Sequence, residues 1–302
     1  MLADIHTRFE SDFYRIRDFL CRCTDNGTSP TEYSTAFSIS VVRKGNFLFN
    51  VFRNSLDSYT GCVLITKPGY ERTVTHVHDV PDECTIFEFR SAAYDEIRDQ
   101  FGWLKFFSDN DSHALLVRTH PDIEFIHHAV VSLIRAGKPD KLMMDSLVTE
   151  LVTVVLHHIT DDVPDIDVYD RLKRNHLTTV ERAKAYIADY FREDISLSEI
   201  AQHCHVSLFH FTRLFRKLTG WAPYQFLRRL RLKHAELLLK TSALPVSAIA
   251  YASGFNSTEH FSSAFRESFG VSPVHHRNRE GFPIPIEQES ASRWEPPRLI
   301  LG

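Results

Sequence analysis

The strongest constraint on this chain is a repeat. Ile200-Ala201, Ser207, Phe211, Phe215-Arg216, Gly220 and Pro223 recur as Ile249-Ala250, Ser257, Phe261, Phe265-Arg266, Gly270 and Pro273, at an offset of 49 residues at first and 50 thereafter. Self-similarity over such a length marks two copies of one supersecondary unit. Each copy reads as helix, tight turn, helix and a stop built from Gly and Pro, the outline of a helix-turn-helix.

In the first copy Leu197, Ile200, Ala201 and Cys204 form one helical face, with a small residue where two helices must cross closely, and Ser207 is the next N-cap candidate. The helix predicted over 208–218 has two faces. Leu208, Phe211, Leu214, Phe215 and Leu218 make an apolar side, while Phe209, Thr212, Arg213 and Arg216 share the other. A merely solvated face accounts for Thr and two Arg but not for an outward Phe. A helix that enters a major groove uses this mixture: Arg for a guanine edge or a phosphate, Thr for polar edges or a thymine methyl, an aromatic for thymine methyls.

Pro223 opens a long helix to about Thr241, carrying Leu232, Ala235, Leu238 and Leu239 inside and Arg228, Arg229, Arg231 and Lys233 besides. Its length of roughly 28 Å approaches the ~34 Å between successive major grooves on one DNA face. In the second copy Val246, Ile249 and Ala250 lead to a Gly254-Phe255-Asn256 turn and to Ser257 as N-cap. The following helix turns Phe261, Ala264, Phe265 and Phe269 inward and Thr258, Glu259, Ser262, Ser263 and Arg266 outward. Glu259 can accept from cytosine N4 but brings negative charge near phosphates, so this unit is expected to read sequence more weakly. Ahead of both copies, Thr178 or Thr179 is expected to cap a helix with Val180, Ala183, Ile187, Tyr190 and Phe191 on one face.

Charge separates the two halves. Residues 1–170 hold 16 Lys and Arg against 27 Asp and Glu, net −11, whereas residues 171–279 hold 17 against 8, net +9. A basic half facing a polyanion and an acidic half with another task is the simplest reading. The five scattered cysteines form no disulfide framework, and no signal peptide or membrane span is read, which together point to the cytoplasm.

The N-terminal half begins with helical spacing in Phe9, Phe13, Ile16, Phe19 and Leu20, read as an arm or cap. Short apolar runs follow at residues 36–42, 47–52, 61–65 and 84–89, separated by turn residues such as Lys44-Gly45-Asn46 and Lys67-Pro68-Gly69, and read as strands of a small antiparallel barrel or sandwich. After about Ala92 the reading is helical, ending in two helices over 123–136 and 141–159 joined by Gly137-Lys138-Pro139-Asp140. This hairpin either packs on its own barrel or forms a two-fold contact between copies. His76, His78 and Glu83 are weak metal-ligand candidates, resembling an imperfect first metal motif of the cupin barrel, with Asp82 adjacent and no second motif. Cys21-x-Cys23 is a weak redox candidate. No catalytic triad, phosphate-cradling Gly loop or zinc-spaced cysteine set is present, so the chain is read as a non-enzyme without a cofactor.

The residues of 195–277 resemble the DNA-binding domain of the AraC/XylS transcriptional regulators. The match rests on Ile200-Ala201; on Arg231-Leu232, Ala235 and Leu238-Leu239; and on Ile249-Ala250, Gly254-Phe255, Phe261, Phe265, Phe269-Gly270-Val271, Ser272-Pro273 and Arg277. It implies a seven-helix double helix-turn-helix, with base contacts at Phe209, Thr212 and Arg213 and at Thr258, Glu259 and Ser263. Residues 1–160 resemble the other half of such regulators in outline, a cupin-like antiparallel β-barrel followed by a helical hairpin.

The expected class is therefore α+β, with an effector-binding or dimerisation domain at 1–160, a linker at 161–175, the double helix-turn-helix at 176–279 and a disordered tail at 280–302. The resemblance implies a transcription regulator, more often an activator, with double-stranded DNA, RNA polymerase, a small-molecule effector and a second copy of itself as partners, and no membrane. Two alternatives remain: a metal-dependent cupin enzyme fused to a DNA-binding module, and a ligand-independent architectural DNA-binding protein.

Overall fold

The computed structural model describes residues 3–22, 27–77, 81–137, 139–159 and 170–279. Cys23, His78, positions 161–169 of the expected linker and the expected tail from 280 lie outside the described residues. The chain packs into two compact units. One runs to Glu181 and includes Leu214–Gly220; the other comprises Arg182–Arg213 and the described residues from Trp221 onward.

The first unit is built on two antiparallel sheets. Six strands take the order β1 (Ala3–Glu10), β2 (Tyr14–Cys21), β9 (Glu83–Phe89), β4 (Phe37–Lys44), β7 (Cys62–Thr66) and β10 (Ala114–Arg118). Four take the order β3 (Glu32–Ser34), β8 (Tyr70–His76), β5 (Asn46–Val51) and β6 (Asn54–Tyr59). Helices α1 (Ser91–Gln100), α2 (Lys105–Ser108), α3 (Pro121–Arg135) and α4 (Lys141–His157) complete it.

Alternation along the strands divides the labour between the faces of the larger sheet. Phe37 stacks on Tyr94 of α1 and meets Phe107 of α2, Thr85 bonds His127 of α3 at 2.9 Å, and Tyr14 donates to Asp145 of α4 at 2.9 Å. The opposite face, with Arg17, Ser38, Ser40, Thr66, Ile86 and Glu88, lines a cavity of about 290 Å³ whose far wall includes Phe47, Phe49, Val74 and His76 of the smaller sheet. One face thus anchors the helices, and the mixed face lines the cavity.

The strands expected near 36–42, 47–52, 61–65 and 84–89 are present as β4, β5, β7 and β9. The expected N-terminal helix is instead the β1–β2 hairpin. Its turn is held by Ser11, whose Oγ accepts from Phe13 and Tyr14 N–H groups at 3.2 Å each, and Arg8–Asp18 pairs across it at 2.8 Å. Phe9, Phe13, Ile16 and Leu20 do recur at helical intervals, but pairing of β2 with β9 over seven positions overrides that local pattern. β10 likewise falls inside a stretch expected to be helical; five residues are too few to show a period, and their partner β7 is remote in sequence. The helices expected at 123–136 and 141–159 are α3 and α4.

From residue 170 the elements are α5 (Asp170–Tyr190), α6 (Leu197–His203), α7 (Leu208–Thr219), α8 (Pro223–Thr241), α9 (Val246–Ala252), α10 (Thr258–Phe269) and α11 (Pro273–Arg279). α5 starts at Asp170, so Thr178 and Thr179 lie within it and cap nothing, and the expected linker ends in helix; no Gly or Pro interrupts that stretch. The second copy of the repeat closes a core of Leu232, Ala235, Leu238 and Leu239 from α8, Ile249 and Ala250 from α9, Phe255, and Phe261, Ala264 and Phe265 from α10. Each large side chain so buried contributes roughly 1.5–3 kcal/mol. Among the described residues no helix is long and apolar enough to cross a membrane.

The hairpin makes a direct test of the N-terminal structure. Ile16 is 1% exposed and Ile5 49%. Ile16→Ala should cost ~2–5 kcal/mol in urea unfolding, and Ile5→Ala should stay within about 0.5 kcal/mol.

Candidate nucleic-acid interface

The two copies of the repeat fold into the same turn. In the first, His205 N–H donates to Gln202 O at 2.9 Å and Val206 N–H to Ala201 O at 3.1 Å; in the second, Gly254 donates to Tyr251 O and Phe255 to Ala250 O, both at 3.0 Å. His205 and Gly254, at equivalent places, both take positive φ, 57° and 82°. Serine then caps each second helix: Ser207 Oγ accepts from His210 N–H at 3.3 Å and Ser257 Oγ from His260 N–H at 3.1 Å. In front of the first turn, Ser196 and Glu199 form a capping box that fixes the start of α6.

Burial then assigns the faces. On α7, Phe211, Leu214, Phe215 and Leu218 are buried, Phe209 is 79% exposed, Arg213 and Arg216 are exposed and Thr212 is half-buried. Leu208, expected inside, is 44% exposed, because it occupies the first turn ahead of the packed part of the helix. Thr212 donates its hydroxyl to Leu208 O at 2.9 Å, which leaves its methyl and oxygen lone pairs to face outward. On α10, Phe261, Ala264 and Phe265 are buried, Glu259, Ser263 and Arg266 exposed, and Thr258 and Ser262 half-buried. Phe209, Arg213, Arg216, Glu259, Ser263 and Arg266 are exposed as expected, Thr212, Thr258 and Ser262 only partly so; Phe211, Leu214 and Phe215 are matched by Phe261, Ala264 and Phe265 inside, while the outer residues do not repeat.

Residues 200–279 match the model of a helix-turn-helix domain family. The HTH-type transcriptional activator RhaS of Escherichia coli (strain SE11) is 37% identical over 99 residues, which are 32% of this chain and 36% of that protein. The AraC/XylS-type DNA-binding domain is therefore present in the C-terminal part. Among solved structures, the DNA-binding domain of AdpA, a global transcriptional factor, in complex with a target DNA is 32% identical and covers 33% of this chain and 91% of its own, with a TM-score of 0.33. An AraC-type regulator of Chromobacterium violaceum is 31% identical, over 35% of this chain and 95% of its own, with a TM-score of 0.32. The assignment stands on the sequence match rather than on these superpositions. The match spans about a third of the curated relatives' length.

Within this AraC/XylS-type domain the arginines of α8 turn inward, which the sequence does not reveal. Arg231 donates to Phe191 O at 2.7 Å and Glu193 O at 2.6 Å. Arg228 pairs with Glu267, and Arg229 bonds Ser268 while lying 4.9 Å above the Phe269 ring. Lys233 is buried against Glu236 at 2.7 Å. Burial alone would raise the Glu236 carboxyl, but Lys233 and Lys240 outweigh it and hold it below the usual carboxylate range. These side chains brace the second unit; the exposed arginines of α7 and α10 are Arg213, Arg216 and Arg266.

The weak metal candidates separate. His76 is buried and bonds Asp82 through Nδ1 at 2.6 Å, while Glu83 turns to Lys44 at 3.3 Å and Arg43 at 3.9 Å; His78 lies outside the described residues. Glu83 follows Asp82 directly, and alternation on β9 sends the two carboxylates to opposite sides. Cys21, buried at the end of β2, takes the place beside His76 that Glu83 was expected to fill.

Two predictions follow from the turn. A Cβ at Gly254 would lie 2.7 Å from Phe191 O and 2.8 Å from Arg231 Nε, at a φ of 82°. Gly254→Ala should therefore cost ~1–3 kcal/mol, while His205→Ala, already at positive φ with a side chain, should cost less than about 1 kcal/mol in the same urea titration. His234, on α8, bonds Ser253 of this turn at 3.1 Å, and burial, with Arg192 nearby, lowers its pKa to about 3. The unfolded chain then binds the extra proton between about pH 6.5 and that value, so stability falls as pH drops through this window. At pH 5 the loss relative to pH 7 should be about 2 kcal/mol, and His234→Gln should flatten the profile.

Proposed function

We propose that the chain is a sequence-specific transcription regulator that places α7 and α10 in adjacent major grooves. The observation that carries this reading is the pair of identically turned and capped units whose second helices present unlike outer faces. On α7, Arg213 makes a bidentate base contact, Thr212 and Phe209 meet base edges and thymine methyls, and Arg216 meets phosphate. On α10, Thr258, Glu259, Ser262, Ser263 and Arg266 play the corresponding parts with less charge and shorter reach, so α7 carries more of the sequence information. Likeness to the RhaS activator supports regulation by activation; an activator of this kind would have RNA polymerase as a partner.

Residues 1–160 by this reading serve as the effector-sensing and dimerising half, joined at 161–175 to the domain at 176–279. Its cavity of about 290 Å³ between the two sheets supports a small-molecule effector. The pairing surface on this reading is the α3–α4 hairpin, where Leu142 is 78% exposed.

Binding-site selection from random DNA, with and without cell extract, tests specificity and effector dependence together. On the selected site Arg213→Ala should lose ~1–3 kcal/mol of affinity, with relaxed preference at one position. An equal loss on random DNA would overturn base reading by Arg213. A steep salt slope with no selected sequence would mean an architectural DNA-binder instead.

A further inference from the structure

The end of the sandwich between β2, β8 and the start of β9 holds three side chains of metal-ligating type. Cys21, His76 and Asp82 are all buried, and one ligand atom from each lies within 4.8 Å of the others. Cys21 Sγ is 3.6 Å from His76 Nε2 and 3.8 Å from Nδ1. In a tetrahedral zinc site the sulfur and nitrogen ligands sit roughly 3.5 Å apart, given bonds of about 2.3 and 2.0–2.1 Å. The Cys21–His76 spacing is thus already close to one edge of a coordination tetrahedron.

The three residues are held by backbone bonds rather than by chance contact. Cys21 N–H donates to Asp82 O at 2.9 Å, and His76 N–H donates to Gly27 O at 3.0 Å. Gly45 makes room for the carboxylate: at its φ of 84°, a Cβ there would stand 2.3 Å from Asp82 Oδ1. Cys21 and Asp82 come from the larger sheet and its edge and His76 from the smaller, so a bound ion would tie the two sheets together.

We propose that Cys21, His76 and Asp82 bind a divalent transition metal that accepts thiolate, with Zn(II) the best match. Sulfur and imidazole select Zn(II), Co(II) or Ni(II) over Mg(II) and Ca(II), which take oxygen ligands. On binding, His76 Nδ1, 3.8 Å from Cys21 Sγ, coordinates the ion in place of its hydrogen bond to Asp82, and both the Cys21 thiol proton and the proton shared by His76 and Asp82 pass to solvent. Three protein ligands leave a fourth position, and because His76 and Asp82 also line the cavity, that position opens toward it. Water fills it, or a donor atom of whatever occupies the cavity.

The test uses the full chain, stripped with chelator and titrated with Co(II) as the spectroscopic probe. The expected result is one Co(II) per chain, with the visible bands of four-coordinate geometry and a thiolate-to-metal charge-transfer band, displaced by one equivalent of Zn(II). Cys21→Ser should abolish the charge-transfer band, and Cys62→Ser, which removes a buried thiol elsewhere, should leave it unchanged. Should Cys21→Ser not fold, Asp82→Asn carries the test with a loss of metal affinity of at least ~10-fold. No charge-transfer band in the wild type, the same band in Cys21→Ser, or unchanged affinity in Asp82→Asn would each overturn the site. None of these readouts depends on DNA binding, so they fail or succeed separately from the regulator reading.

Discussion

A helix of twelve residues is marginal in water by itself, so α7 and α10 present ordered outer faces only because their inner faces are buried. Phe211 and Phe215 on one, and Phe261 and Phe265 on the other, have essentially no solvent contact. In the second unit the two rings meet at 5.6 Å between centroids, and Phe255 from the turn packs on Phe261 at 5.2 Å. The same core takes in one face of α8 and the short α9. The outer residues are therefore free to vary in chemistry: Arg213 or Glu259 can be exchanged without touching what holds the helix.

Close approach of backbones is the second constraint. The positive-φ residue in each turn reverses the chain, and in the second unit it lies against the Phe191 carbonyl just past α5, which Arg231 also binds. A guanidinium with several donors suits this place, since it satisfies two carbonyls at once from one side chain. The net charge of +9 over residues 171–279 consequently overstates what is offered to a polyanion. Several of its cations brace the domain, while Arg213, Arg216, Lys217 and Arg266 stand exposed on α7 and α10.

The C-terminal elements were legible in the sequence because their contacts are short in range. A period near 3.6, the Ser207 and Ser257 caps, Pro223 at a helix start and Gly270 at a helix end are all local signals, and each lies at its expected place. The N-terminal half was legible where apolar runs were bounded by turns, and illegible where a strand's identity depends on its partner. Residues 3–21 carry helical spacing and strand alternation together, and only β9, more than sixty residues away, selects between them. Cys21 and Asp82 show the same limit. Nothing in either segment signals the other, and the pair exists only because β2 and β9 are neighbours.

The sequence by itself determined the duplicated unit, its turns and serine caps, and the packed faces of α7 and α10 apart from Leu208, since amphipathicity and capping are read within a few residues. The tertiary structure alone decided which charges of α8 turn inward, that one face of the larger sheet lines a cavity, and that a thiol, an imidazole and a carboxylate meet at its end. Those outcomes depend on strand order and helix packing between segments distant in the chain, and no local pattern of residues encodes such a meeting.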